Sequence, residues 1–456
     1  MTQVAIIGAG PSGLFAAEIL RRSGVGCTIF DAGKEMERRE CPELQECNCK
    51  VCDILEGVGG AGGFSDGKNT YSLTRGTQME DIFAPESAAL LQEIDNLTVL
   101  YGCEGVLTDP LKEPHPLFLN TPFEFGSYPL RHIGSDGIRK FITNIAAHLR
   151  RWNVIIRSDT EVIYVKKTDP YYEVCYRRPS GEVQYDLVDK VMIATGLQGT
   201  PWLESQLEMM GVPLKPGPAG IGMRFESRYE TLEPLFSAFY DFKLTKVHGS
   251  IPFRSFCCNR RGYVVNENHR TLGIKNVNGH SFLNERMKSN ASNFAIIAKI
   301  GEDIDTDPQG YVREMARRIN GLVEGGTVVQ RAKDFVSERP SIREYFPIDS
   351  VHTNSQARSS VHIGSAMPRM VYEGFRNFLM DLDEIVPGIL HSTSVVYAPE
   401  VKYYGKKAPV DFTTWECQGM PGLYITGNAS GYLDSFVSAA LSGMIAANHI
   451  TDKKGD

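Results

Sequence analysis

The stretch Val4-Ala-Ile-Ile-Gly-Ala-Gly-Pro-Ser-Gly13 carries the first decision about the fold. Val4 to Ile7 is a short apolar run of the kind a parallel strand buried on both faces requires. It feeds a Gly8-x-Gly10-x-x-Gly13 turn, which opens a helical stretch reaching about Ser23. A second strand, residues 27–30, ends on Asp31, eighteen residues after Gly13. Gly8 permits the tight turn, and Gly10 lets a pyrophosphate approach the backbone. Gly13 lets the helix pack close to the strand, so that its first amides point at the phosphates. Asp31 is placed to accept hydrogen bonds from a ribose hydroxyl. Strand, turn, helix, strand and acid in this register read as a dinucleotide-binding βαβ unit.

At 456 residues the chain exceeds one ordinary domain. Its 42% hydrophobic and 23% charged residues are those of a soluble globular protein. A net charge of −7 offers no broad footprint for nucleic acid, and the pairs Arg38-Arg39 and Arg260-Arg261 read as solvated surface. No apolar run is long enough for a transmembrane helix, so no membrane contact is expected. The first apolar run is a short strand followed by glycines, not a signal peptide. Ten cysteines in such a chain do not make a secreted disulfide scaffold, and a reducing cytoplasm is the expected setting.

After Asp31 a charged stretch, residues 34–40, leads into four cysteines and then Gly57-Val-Gly-Gly-Ala-Gly-Gly63-Phe-Ser-Asp-Gly-Lys68. So many glycines suit a loop whose backbone passes close to something flat or charged. Helices are expected over 87–94 and 137–152, a strand over 153–165, and a hairpin pairing 174–176 with 185–188 around Pro179-Ser-Gly. Lys190-Val-Met-Ile-Ala-Thr-Gly196 is a second buried-strand run ending in a small turn. From about Trp202 the texture becomes β-rich, at 262–265 and 272–277, with a helix over 310–319. Pro421-Gly-Leu-Tyr-Ile-Thr-Gly427-Asn-Ala-Ser-Gly431 returns to strand and glycine turn, followed by a helix over 433–450.

Gly8–Gly13 with Asp31, Ala194-Thr-Gly196 and Gly422-Leu-Tyr-Ile-Thr-Gly427 together resemble the glutathione-reductase-type FAD proteins. More narrowly, Cys41-Pro, Cys47, Cys49, Cys52 and then Gly59-Gly-Ala-Gly-Gly-Phe-Ser-Asp-Gly-Lys68 are similar to a group of FAD-dependent dehydrogenases, of which this chain is a divergent member with a four-cysteine segment. Gly220-Ile-Gly-Met-Arg-Phe-Glu226, Ser255-Phe-Cys-Cys258 and Val277-Asn-Gly-His-Ser281 extend the likeness over most of the chain. The resemblance implies an α/β fold: a glutathione-reductase-type, Rossmann-like FAD-binding domain with a mixed sheet and crossover β-meander, formed by residues 1–200 and 396–456. Residues 201–395 would form an inserted α+β substrate domain.

By matching position, the resemblance assigns Gly8, Gly10, Gly13 and Asp31 to the ADP half of FAD, with the Val162 backbone at adenine, and adds Pro11, Ser12, Ala32, Gly33 and Lys34 to the cofactor-binding residues. Gly60, Ser65, Gly67 and Lys68 would approach the pyrophosphate or the flavin, and Ala61, Ala194, Thr195 and Gly196 would also bind the cofactor. The closing motif would add Gly427, Asn428, Ser435 and Phe436, with the helix start facing the end of the flavin where reduction places negative charge. Two positions depart from the pattern. Asn428 stands where an acid is usual, keeping an acceptor but losing a charge, and Cys258-Asn-Arg-Arg-Gly262 replaces a Met-Cys-Pro-Gly-Gly continuation.

The cysteine run Cys41-x5-Cys47-x-Cys49-x2-Cys52 admits a thiolate metal site, a redox disulfide through Cys49 and Cys52, or loop packing. No metal is assigned, because one CxxC and a cramped CxC lack two separated knuckles. Cys257 is a further candidate to face the flavin, since neighbouring strand residues point to opposite faces. Arg224 and Arg254 are candidates to clamp an anion. The expectation is an FAD-dependent oxidoreductase moving a hydride between flavin N5 and a small-molecule substrate. The alternative is a thiol/disulfide flavoenzyme using the 41–52 cluster. No second strand-GxGxxG-helix follows Gly196, so reductant would arrive transiently as NAD(P)H or through a partner protein.

Overall fold

The computed structural model describes residues 3–40, 52–79, 81–111, 115–269, 272–342, 353–354 and 357–452. The chain forms two compact units. The first comprises Met1–Leu107, Pro129–Gly217 and Tyr404–Asp456. At its centre is a parallel sheet in the order β20 (Leu423–Ile425), β11 (Lys190–Ile193), β1 (Gln3–Ile7), β2 (Gly26–Phe30), β7 (Ile155–Arg157). Val4 to Ile7 are all buried, which is why an unbroken apolar run was required there. Ile7 lies opposite both Ile193 and Phe30, so the strand ends that present the glycine turn are in register.

Helix α1 (Pro11–Arg22) leaves β1 through that turn, with Gly10 at its N-cap and Pro11 in its first turn. Three more helices, α2 (Ala88–Tyr101), α3 (Gly134–Arg151) and α9 (Phe436–Asp452), join the same core, where Phe15 stacks on Phe141 at 5.8 Å. A small sheet orders β3 (Lys68–Thr70), β6 (Leu130–His132) and β4 (Val106–Thr108). The meander β8 (Glu161–Thr168), β9 (Tyr171–Arg177), β10 (Val183–Val188) is antiparallel and is followed by α4 (Thr200–Met209) after β11. Its β9–β10 hairpin pairs Val174 with Asp186. The single strand expected over 153–165 is two strands, because Asp159 adopts a positive φ of 49° between them and breaks the extended run. The central sheet is parallel throughout, not mixed; the antiparallel pairing sits in the separate meander.

The second unit comprises Thr108–Tyr128 and Pro218–Tyr403. Its antiparallel sheet runs β18 (Val328–Arg331), β19 (Val395–Tyr403), β12 (Ala219–Arg228), β17 (Ala291–Ile300), β14 (Ile251–Asn259), β13 (Lys243–His248), β5 (Glu124–Gly126). One face carries Ile221, Met223, Phe225, Phe294 and Ile296 into a core with α5 (Tyr229–Ala238), α6 (Pro308–Gly321), α7 (Ala332–Val336) and α8 (Arg369–Ile385). The hairpin β15 (Tyr263–His269) and β16 (Ile274–His280) completes the unit. Compared with an insertion over 201–395, the boundaries fall at 217/218 and 403/404, and residues 108–128 join this unit through the pairing of β5 with β13.

Candidate cofactor site

The turn between β1 and α1 has the backbone its sequence demands. Gly8 has φ +106°, and a side chain there would stand 2.3 Å from the Ala194 carbonyl oxygen. A Cβ on Gly13 would meet the Gly8 oxygen at 2.1 Å, so only glycine lets α1 approach the strand. At Gly10 the space is open, the nearest atom being Gly60 Cα at 4.0 Å. No side chain caps the helix start. Helix amides and an open approach are what a pyrophosphate needs.

Asp31 ties the neighbouring turns together. Its Oδ2 accepts from the Ala9 amide at 2.8 Å and its Oδ1 from the Gly33 amide at 2.9 Å. Burial raises its pKa, against the lowering effect of these two amides and Arg39. Each carboxylate oxygen keeps a further lone pair for a ribose hydroxyl. Ala32 is exposed, and Lys34 pairs with Asp53 at 2.7 Å.

The glycine-rich segment packs directly on this turn. The Gly59 amide donates to the Ala9 oxygen at 2.8 Å, and the Val58 amide to the Lys34 oxygen at 2.9 Å. Gly60, at φ +56°, comes close enough to Gly10 that a Cβ would lie 3.2 Å from its Cα. The residue that shapes this segment is Arg39. It is fully buried, and its guanidinium donates to four backbone oxygens: Asp53 (2.9 Å), Val58 (2.8 Å), Ile54 (3.0 Å) and Gly60 (2.9 Å). Phe64 lies 4.7 Å from Arg39 and 4.8 Å from Arg139. Reading Arg38-Arg39 as solvated surface therefore holds only for Arg38, which is exposed and pairs with Asp159. Local pattern gave no sign of Arg39, because its partners are carbonyls 14–21 residues away.

Further along the loop, Ser65 Oγ donates to the Gly62 oxygen at 2.8 Å, and Lys68 pairs with Asp66 at 2.6 Å. Burial alone would raise the Asp66 carboxyl, but Lys68 and His132 outweigh it and hold it well below the usual range. A Cβ on Gly62 would meet Phe436 at 2.9 Å and Pro11 at 3.0 Å, so this loop, α1 and α9 converge. Ala61 is exposed beside them. Gly67 sits against Gly134.

At the carboxyl ends of β11 and β20 the Ala194 amide donates to the Ile7 oxygen and the Thr426 amide to the Ile193 oxygen. Ser12 Oγ donates to Thr426 Oγ1 at 2.7 Å, and the Gly427 amide donates to Ser442 Oγ at 2.9 Å. Gly196 has open space around it, and the buried Thr195 Oγ1 has no hydrogen-bond partner among the described residues. Ser435 Oγ binds Ser438 at 2.8 Å near the start of α9, and Asn428 is half-buried. Open space at Gly10 and Gly196, at the carboxyl ends of parallel strands, fits a dinucleotide cofactor.

Two residues before Val162, the Thr160 amide donates to the Asp31 oxygen at 2.8 Å. The Val162 side chain is buried in the core, its backbone in the β8–β9 ladder. Cys49 lies outside the described residues, as do Cys41 and Cys47. Cys52 is buried in an apolar cluster with Ile54 and Leu55. Cys257 belongs to the second unit. It has φ +44° at a bulge in β14, so simple strand alternation does not describe Cys257-Cys258. Arg224 is not an open clamp. It is fully buried, donating to both Glu400 oxygens at 2.8 and 2.6 Å and to Asn293 at 2.9 Å.

The first unit is thus an α/β dinucleotide-binding fold. Residues 1–84 match the family described as FAD binding domain. A Clostridium beijerinckii protein of uncharacterised function is 23% identical over 476 aligned positions, spanning 98% of this chain and 80% of the relative. Among solved structures, a flavoprotein/dehydrogenase from Cytophaga hutchinsonii aligns at 12% identity and TM-score 0.45 over 100% of this chain and 79% of its own. The p-nitrophenol 4-monooxygenase PnpA from Pseudomonas putida aligns at 12% identity and TM-score 0.42, over 100% and 82%. FAD is the cofactor, and the chain is an FAD-dependent oxidoreductase. Neither the narrower glutathione-reductase grouping nor thiol/disulfide chemistry receives support from these matches.

Proposed function

We propose that the chain transfers a hydride between FAD and a small-molecule substrate, as a dehydrogenase or a reductase. The observation that carries this reading is the junction of Gly10 and Gly60, where two glycine backbones meet at the start of α1 with room for a pyrophosphate. When bound, FAD supplies a ring that accepts or releases a hydride. The protein's own contribution is positional. The α1 amides and the Gly57–Gly60 backbone hold phosphate, Asp31 holds the turns that flank it, and the start of α9 offers further amides. Reductant arrives transiently, as NAD(P)H or from a protein donor. Free thiols at Cys27, Cys103, Cys175 and Cys417 are in keeping with a cytoplasmic setting. Among the described residues no helix is long and apolar enough to cross a membrane.

The test is an absorbance spectrum of purified protein, followed by anaerobic titration with NADH and NADPH. Flavin bands that bleach on reduction are expected. Gly10→Val, which fills the open approach, is expected to fold with native circular dichroism but to purify without flavin. A colourless wild-type protein that FAD does not reconstitute sinks the reading.

A further inference from the structure

The second unit has a polar sheet face opposite its apolar core. Pairing across the strands puts Arg254, Ile297, Gly222 and Glu400 in one row of that face, and Lys299, Gly220 and Lys402 in the next. The two glycines let Ile297 lie flat over β12, since a Cβ on Gly222 would meet its Cδ1 at 2.4 Å and one on Gly220 its Cγ2 at 2.6 Å. With that low floor, Lys402 reaches from β19 over two intervening strands to the ring of Phe256 on β14, its Nζ 4.3 Å from the centroid. Lys243 and Arg254 approach the same half-buried ring at 5.5 and 5.6 Å.

Three cations around one ring is a concentration of positive charge, and the carboxylates nearby do not match it. Asp241 pairs with Lys243 at 2.5 Å. Glu400 is committed to Arg224. Glu267 acts on Lys402 but also takes hydrogen bonds from Asn278 and Asn276. Arg254 has no carboxylate and no hydrogen-bond acceptor among the described residues; its guanidinium is engaged by Phe256 alone. A planar fork of donors beside an ammonium group and an aromatic ring matches a carboxylate with an apolar body.

We propose that this face, at Arg254 and Lys402 beside the Phe256 ring, binds a small organic carboxylate. Its role as the substrate's site rests on the flavoenzyme reading above; the binding itself does not. Arg254 supplies the two-point contact, Lys402 the second charge, and the half-buried Phe256 ring the surface for the apolar body.

Isothermal titration of the full-length protein with benzoate, its neutral counterpart benzamide, and inorganic phosphate tests this. Benzoate is expected to bind and benzamide not. Arg254→Gln should weaken benzoate roughly tenfold or more, the loss of a charge-assisted pair, with an unchanged melting midpoint. Lys402→Gln should weaken it by a smaller factor and serves if Arg254→Gln misfolds. Absence of benzoate binding at millimolar concentration, equal affinity in both variants, or phosphate binding as tightly as benzoate overturns the proposal. A yellow protein that ignores benzoate sinks this inference alone, whereas a colourless one sinks the flavin assignment.

Discussion

Arg39 in the first unit and Arg224 in the second are both fully buried, and the chain satisfies them in opposite ways. Arg39 is surrounded by backbone oxygens; its nearest negative charges, Asp31 and Asp53, act without a direct ion pair. Burial pulls its pKa down to about 10. Arg224 instead faces Glu400 in a two-point pair that spans β12 and β19 at the bulge between Gly222 and Arg224. The first arrangement shapes a loop, because four carbonyls from residues 53–60 must converge on one planar group. The second fixes how two strands pair. A cofactor that is gripped by backbone calls for the former, and a sheet built from distant segments calls for the latter.

The sharpest way to break this contrast is Arg224→Met. It leaves Glu400 charged and unpaired in the interior, and about 3–5 kcal/mol of stability should be lost in urea denaturation. Replacing both partners, with Arg224→Met and Glu400→Leu, should recover most of that loss. A double variant as unstable as the single one would show that the stranded charge is not the cause.

Glu226 is the second unit's counterpart to Arg39, a buried ionisable group held by hydrogen bonds. The Thr353 amide and hydroxyl and the Tyr397 hydroxyl donate to it at 2.9, 2.5 and 2.6 Å. Burial pushes its pKa up to about 7, against these donors and Arg224. The native state therefore keeps a proton that the unfolded chain has released above its ordinary value of 4.5. Its stabilising effect is full below that value and is lost as pH rises through about 7. Stability should fall by roughly 2–3 kcal/mol between pH 5 and pH 8 from this group. Glu226→Gln should flatten that slope in denaturation curves taken across the range; an unchanged slope would assign it to other groups.

The smallest effect, and the one closest to function, is at Arg39. Arg39→Gln strands several carbonyls of the glycine loop, and FAD affinity should weaken by roughly 1–3 kcal/mol in a dissociation titration. Arg39→Lys should recover little, because an ammonium cannot reach four oxygens in one plane. Unchanged FAD affinity in both would remove Arg39 from the site.

The parts of this molecule that were readable in the sequence are those whose signal is local. Val4 to Gly13 states strand, turn and helix within ten residues, and the structure puts each where its chemistry required. The helix from Phe436 and the 171–188 hairpin were legible for the same reason. What stayed hidden depends on contacts between distant residues. The Arg38-Arg39 dipeptide looks identical whether its second member is solvated or enclosed. Nothing within residues 108–128 announces that β5 will pair with β13, more than a hundred positions later. Cys257 departs from strand alternation because a bulge, which no composition marks, twists the chain there.

Helix α9 meets α1 at close quarters: a side chain on Gly443 would fall 2.2 Å from the Ser12 oxygen, and Ser12 in turn bonds Thr426. Residues 404–456 belong to the same unit as residue 8, so the glycine turn is closed over by a helix more than four hundred positions further along the chain.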